Sequence, residues 1–208
     1  MPMWIGVILM LVVLLQMPAY AGPLEDCEQA QDNDRRIRGC TSRIRQFPKD
    51  ARAYFNRSSA YLSEGETDRA IADATRVLQI DPGWAGAYFN LGLAHERKEQ
   101  HDRASADLGK AIEINGRYAA AYEARARSYL KIQQIELALR DAERAVDLEP
   151  IEAGFMVTRG RVYEALGRTA EAIADYRRAL AIKPSMQSAI DGLRRLGVSS
   201  ASAVASPR

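Results

Sequence analysis

Residues 153–186 read AGFMVTRGRVYEALGRTAEAIADYRRALAIKPSM. Two stretches of helical apolar spacing flank a short polar turn, ALGRTAE, at residues 165–171. Gly167 in that turn can take the left-handed conformation that closes a helix. Pro184 cannot continue one, so the second helix ends near it. Gly160 falls midway along the first helix and Ala172 near the start of the second. Small side chains at those places let two helices approach closely, ridges into grooves. This single stretch therefore predicts a complete antiparallel helix pair.

Working outward, the same pattern recurs at a fixed step. Tyr54, Tyr88, Tyr122 and Met156 are evenly spaced, and Ala70, Ala104, Ala138 and Ala172 share the same spacing. Val77, Ala111, Ala145 and Ala179 form a third column, and Pro82, Gly116, Pro150 and Pro184 a fourth. Columns sharing one period are the mark of a repeat array. The units are 51–84, 85–118, 119–152 and 153–186. Where Gly116 replaces proline, Asn115-Gly116 is still a turn pair that ends the helix.

These residues resemble the tetratricopeptide repeat family. The fourth unit carries the resemblance in Gly160, Tyr163, Gly167, Ala172, Tyr176, Ala179 and Pro184, the second in Tyr88, Leu91, Gly92, Ala104 and Ala111. Met156 departs from the family's first aromatic, His95 from its tyrosine and Gly116 from its proline. The resemblance implies an all-α fold, an α-solenoid of antiparallel helix pairs whose first helices line a concave side. It implies protein binding and leaves the ligand open.

Both termini extend the frame. From Met1 to Ala21 no side chain is charged; an apolar run from Trp4 to Leu15 precedes Pro18 and Ala19-Tyr20-Ala21. That run is short of the roughly 20 apolar residues of a membrane span. Small residues at the first and third places before a cut mark a secretory signal. Residues 1–21 are thus expected to be a signal peptide cut after Ala21, with an uncleaved anchor as the alternative. At the other end, QSAIDGLRRLG (187–197) repeats the opening of a first helix, with Ile190, Leu193 and Leu196 on one side. It is expected to cap the last unit. Residues 198–208, small and polar, are expected to be a disordered tail.

Extended backwards, the frame makes residues 22–50 an incomplete unit. Its first helix is expected from about Pro23 to Gln31, and Asp34–Pro48 is its second. Cys27 then stands where Tyr61, Tyr129 and Tyr163 stand, and Cys40 where Ala74 and Tyr176 do. In this family those places pack against each other. They are the chain's only two cysteines, and in an exported chain they are expected to form a disulfide. The bond would hold a helix left with little apolar area beyond Leu24. The whole arrangement, DCEQAQDNDRRIRGC ahead of the repeats included, resembles exported proteins of alphaproteobacteria, which implies a periplasmic home.

Motifs for catalysis are lacking. The sequence has no phosphate-binding glycine loop, no Gly-x-Ser-x-Gly and no His-Glu-x-x-His. Its two histidines, His95 at a packing place and His101 in a turn, make a poor metal site. Glu171 and Asp175, at helical spacing near Arg178, read as a solvated face with local ion pairs. The triplet at Asn56 fits a glycosylation signal but falls within a helix. A net charge of +2 gives no global field for nucleic acid. Arg35, Arg36, Arg38, Arg43 and Arg45 spread around one helix and read as a solvated terminal face, not a nucleic-acid or membrane patch.

Family geometry places Phe55, Ser59, Phe89, Leu93, Glu123, Arg127, Lys131, Val157 and Arg161 along the concave groove. Its first half is apolar and aromatic, while its second half gains basic groups. That suits a segment with an aliphatic part and a carboxylate part. The carboxylate clamp of some relatives needs lysine and asparagine near Phe55 and Ser59, so it is not carried over. The expectation is a periplasmic scaffold that binds a protein or peptide, uses no cofactor and catalyses nothing. The alternative is a self-associating adaptor that tethers envelope assemblies.

Overall fold

A computed structural model describes residues 23–198. The expected signal peptide, and all but Val198 of the expected tail, lie outside the described residues. Eleven helices follow one another, with no strand among the described residues: α1 Pro23–Gln29, α2 Asn33–Gln46, α3 Ala51–Ser63, α4 Thr67–Ile80, α5 Ala85–Arg97, α6 His101–Ile114, α7 Ala119–Lys131, α8 Ile135–Leu148, α9 Ala153–Ala165, α10 Thr169–Ile182 and α11 Gln187–Arg195. α1 stops two residues earlier than expected, and His101 opens α6 rather than lying in the turn before it.

The helix ends follow from local chemistry. Asp32 caps α2 by accepting from the backbone N–H groups of Asp34 and Arg35, and Asp50 caps α3 through that of Ala53. α4, α8 and α10 each stop two residues before a proline, and α6 two before Gly116. The turns inside the four pairs each need one left-handed residue: Gly65 (φ 79°), Glu99 (58°), Gln133 (60°) and Gly167 (71°). A side chain there costs roughly 1 kcal/mol relative to glycine. Glu99→Gly and Gln133→Gly are therefore expected each to raise the melting temperature by a few degrees. Thermal denaturation followed by circular dichroism checks this; no gain in either variant would refute it.

Packing inside each pair depends on matched volumes in two columns. Cys40, Ala74, Leu108, Ala142 and Tyr176 occupy one place on successive second helices. The bulkiest of them, Tyr176, is fully buried between Gly160 of α9 and Gly192 of α11. A Cβ on either glycine would come within 2.7 Å of its ring. In the half unit the column holds Cys40, whose sulfur is joined to that of Cys27 at 2.10 Å. The bond sits in a small core with Ala53 and Ile44, tying α1 to α2.

A second repeated device lies inside the pairs. Asp73, Asp107, Asp141 and Asp175 form a further column at the repeat step, and three of them are partnered by an arginine on their own first helix. Arg57 pairs with Asp73, Arg125 with Asp141 and Arg159 with Asp175, each at 2.7 Å. All three aspartates are buried. Asp175 is thus no member of a solvated face: it lies under α9, fixed by two arginine hydrogen bonds. Glu171 does sit outside, paired with Arg168. Each guanidinium also lies over tyrosine rings of its own helix, Arg125 at 5.7 Å from Tyr122 and 5.6 Å from Tyr129.

The second unit departs from this device in a coordinated way. Leu91 stands in the arginine column, and His95, one turn on, takes over Asp107 at 2.7 Å. His95 is therefore a polar partner and not only a packing residue. Burial raises the Asp107 carboxyl above its usual range, and the hydrogen bond from His95 pulls against that rise.

Candidate protein-binding groove

Each second helix packs on the next first helix, so the pairs stack in a row. Successive first helices also touch one another, whereas successive second helices do not among the described residues. Elements drawn closer together lie on the inside of a bend. α1, α3, α5, α7, α9 and α11 therefore line the concave side.

A side-chain tie joins every neighbouring pair on that inner face. The Asn56 amide of α3 donates to the Cys27 carbonyl of α1 at 3.1 Å. The Asn90 amide of α5 donates to the hydroxyls of Ser58 and Ser59 on α3, at 3.2 and 3.0 Å. Arg97 adds a bond to the Leu62 carbonyl. Arg127 of α7 reaches Glu96 of α5 with two nitrogens, at 2.9 and 2.6 Å. Thr158 of α9 donates to Glu123 of α7 at 2.5 Å. Arg195 of α11 pairs with Glu164 of α9 at 2.7 Å. Hydrogen bonds from Arg195 and Tyr176 hold the Glu164 carboxyl below its ordinary range against the opposing effect of burial.

These ties rearrange the expected lining. Arg127 is not an open cation, because Glu96 and Glu123 both bind it and keep its guanidinium firmly charged. Glu123 is buried and its oxygens are taken by Arg127 and Thr158. Val157 is buried in the apolar cluster of the fourth unit and does not face the groove openly. Ser59 serves as an acceptor for Asn90. Phe55 and Phe89 remain partly open, backed by Trp84 at 5.5 Å and Tyr118 at 4.9 Å between ring centres. Leu93 is half-buried, and with Leu62, Glu96, Arg97 and Arg127 it lines a hollow of about 370 Å³. Lys131 and Arg161 are exposed and make no ion pair among the described residues. The inner face thus runs from aromatic and aliphatic ground, over a neutralised ionic bridge, to two open cations. Sequence reasoning misses Arg57, Arg125, Arg159 and the aspartate column as a set, although the even spacing of Asp73, Asp107, Asp141 and Asp175 is a visible signal.

With the geometry established, comparisons with known proteins add the family. Two profiles described as tetratricopeptide repeat match the chain, one at residues 51–83 and 85–118, the other at 123–186. Together they cover more than half of it. The chain belongs to the tetratricopeptide repeat family. Comparison with curated proteins gives no match. Among solved structures, this tetratricopeptide repeat protein is similar to TTC0263 of Thermus thermophilus, at 22% identity and a TM-score of 0.65. That match covers 83% of this chain and 90% of the other. It is also similar to YrrB, described as having an unusual peptide-binding site, at 24% identity and a TM-score of 0.64, over 76% of this chain and 81% of YrrB. The first tetratricopeptide domain of Spaghetti (RPAP3), bound to an HSP90 peptide, matches at 26% identity and a TM-score of 0.55. There the coverage is 57% of this chain and 94% of that domain. Tetratricopeptide arrays are interaction modules, and the fold here is that of a protein-interaction scaffold.

Proposed function

We propose that the protein is an exported, non-catalytic scaffold that holds an extended or helical segment of another protein in its concave groove. The observation that carries this reading is the layout of the inner face. The Leu62–Leu93 hollow adjoins the Glu96–Arg127–Glu123 bridge, and beyond that stand two cations with no ion-pair partner among the described residues. Lys131 follows Arg127 by one helical turn, about 6 Å along α7, and Arg161 holds the matching place to Arg127 on α9. An aliphatic side chain fits the hollow, and an acidic group a few residues further on fits the cations. Peptide binding in YrrB and in the Spaghetti domain supports the same use of this fold. The uncharged, apolar residues 1–21 support export to the periplasm, with a mature N-terminus at Gly22.

Lys131→Glu combined with Arg161→Glu is expected to weaken partner binding about tenfold or more, without lowering the melting temperature. Arg127→Glu would be a poor test, since it sets three carboxylates together and destabilises the array. Photo-crosslinkers placed at Phe89 and Lys131 in living cells, with captured proteins identified by mass spectrometry, test the groove directly. One protein caught at both places supports the proposal. Crosslinks only to a second copy of the chain would replace it with a self-associating adaptor.

A further inference from the structure

Two aromatic pairs on the inner face repeat at the step of the array. Phe55 of α3 lies against Trp84, which stands just ahead of α5, with ring centres 5.5 Å apart and planes tilted by 38°. Phe89 of α5 lies against Tyr118, just ahead of α7, at 4.9 Å and 34°. Both members of the second pair stand one repeat on from those of the first, so the arrangement is copied whole. It goes no further: the third unit has Glu123 and Glu152 in those places, and the fourth has Val157 and Met186. Gly86 leaves room for the first pair, since a Cβ on it would come within 2.8 Å of the Phe55 ring and 3.3 Å of the Trp84 nitrogen.

Each pair also carries an unused donor. The indole N–H of Trp84 and the phenol O–H of Tyr118 make no hydrogen bond among the described residues. There, only His101 Nδ1 and Ser128 Oγ are side-chain polar atoms buried without a partner, so both donors reach solvent. An aromatic face with a free donor beside it seats a residue that offers a flat apolar ring and a carbonyl. At the first seat Glu28, Arg52 and Asn56 complete a hollow of about 350 Å³ around Phe55 and Trp84.

The spacing of the two seats selects the shape of the guest. α3 touches α5 and α5 touches α7, and helices in contact lie roughly 8–10 Å apart, axis to axis. A polyproline II chain returns to the same face every third residue, about 9 Å on. A β-strand does so at roughly 7 and 13 Å, which misses the second seat. An α-helix returns after two turns, at about 10.5 Å, but its carbonyls are spent on its own N–H groups. Polyproline II makes no internal hydrogen bonds, so its carbonyls are free for the two donors.

We propose that the aromatic half of the groove takes a polyproline II segment with two prolines three residues apart, one seated on Phe55 and Trp84, the other on Phe89 and Tyr118. The Trp84 N–H and the Tyr118 O–H donate to its carbonyls. This inference rests on the groove reading above and names the chemistry of the partner. Its acidic group then falls about three to six residues beyond the prolines, one to two repeats along, where Lys131 and Arg161 stand.

Fluorescence anisotropy of the whole chain with three labelled peptides tests it. The first peptide holds Pro-Ala-Ala-Pro followed by alanines and two glutamates. The second widens the core to Pro-Ala-Ala-Ala-Pro, and the third has alanine for both prolines. The first is expected to bind at least tenfold more tightly than either of the others. Trp84→Phe and Tyr118→Phe keep a ring and remove the donor; each is expected to weaken that binding several-fold and to leave the melting temperature in place. Equal binding of the first two peptides, no binding of the first, or no effect of either variant would overturn the proposal. Crosslinks at Phe89 and Lys131 judge the groove separately. A partner caught there through a stretch without such prolines removes the polyproline inference and leaves the scaffold reading standing.

Discussion

Asp175→Ala is expected to destabilise the fourth unit by about 3–5 kcal/mol, the usual cost of leaving one member of a buried ion pair without its partner. Arg159 cannot discharge itself, since a guanidinium stays protonated at any ordinary pH, and its side chain is only 13% exposed. Removing the carboxylate leaves Nε and Nη2 without the acceptors they hold at 2.7 Å. The loss should appear as early unfolding of α9, α10 and α11, whose core holds Tyr176, Met156 and Leu193. Arg159→Leu with Asp175→Leu should recover much of it, because a matched apolar pair replaces buried ions at little cost. The second unit already places leucine in the arginine column, at Leu91. Thermal denaturation of the single and double variants decides the matter. A melting temperature for Asp175→Ala within a degree or two of the parent's would show that the pair contributes little.

Opening the Cys27–Cys40 bond should have a large but local effect. α1 has seven residues, too few to stay helical alone in water. It is held by the disulfide, by the Arg35–Asp26 ion pair at 2.7 Å, and by bonds from Arg36 to the Ala30 carbonyl and from Asn56 to that of Cys27. The exposed ion pair adds little, whereas closing a loop of this length is worth roughly 3 kcal/mol in the chain-entropy model. In Cys27→Ala with Cys40→Ala, amides of residues 23–31 are expected to exchange at nearly unfolded rates, while those of α5 to α10 keep their protection. Undiminished protection of α1 would mean that packing alone holds it. Gly39 indicates how close that packing is: a Cβ there would lie 2.8 Å from the Cys27 backbone nitrogen.

The fold is legible in the sequence because its grammar is periodic. Tyr54, Ala70, Val77 and Pro82 recur at one step, and each recurrence constrains the same physical place. Even the cysteines can be located by asking which column they have entered. What escapes such a reading is the use made of charge. Helical spacing sets Asp175 beside Glu171 and Arg178, whereas its partner, Arg159, stands across the turn on the other helix of the pair. Arg127 looks like an open cation because its main partner, Glu96, belongs to the preceding unit. Helical spacing predicts which side chains share a face. It cannot tell which of them an adjacent helix has already claimed, and the charge a groove presents depends on that second question.

The inner-face ties also bear on mechanics. Each joins one first helix to the next, from Asn56 and Cys27 at one end to Arg195 and Glu164 at the other, while successive second helices do not touch among the described residues. An array laced along its inner rim resists straightening, which stretches the lacing, while first helices already in contact resist curling tighter. Its curvature is therefore held from both sides, and a bulky guest has to be met at the width the groove already has.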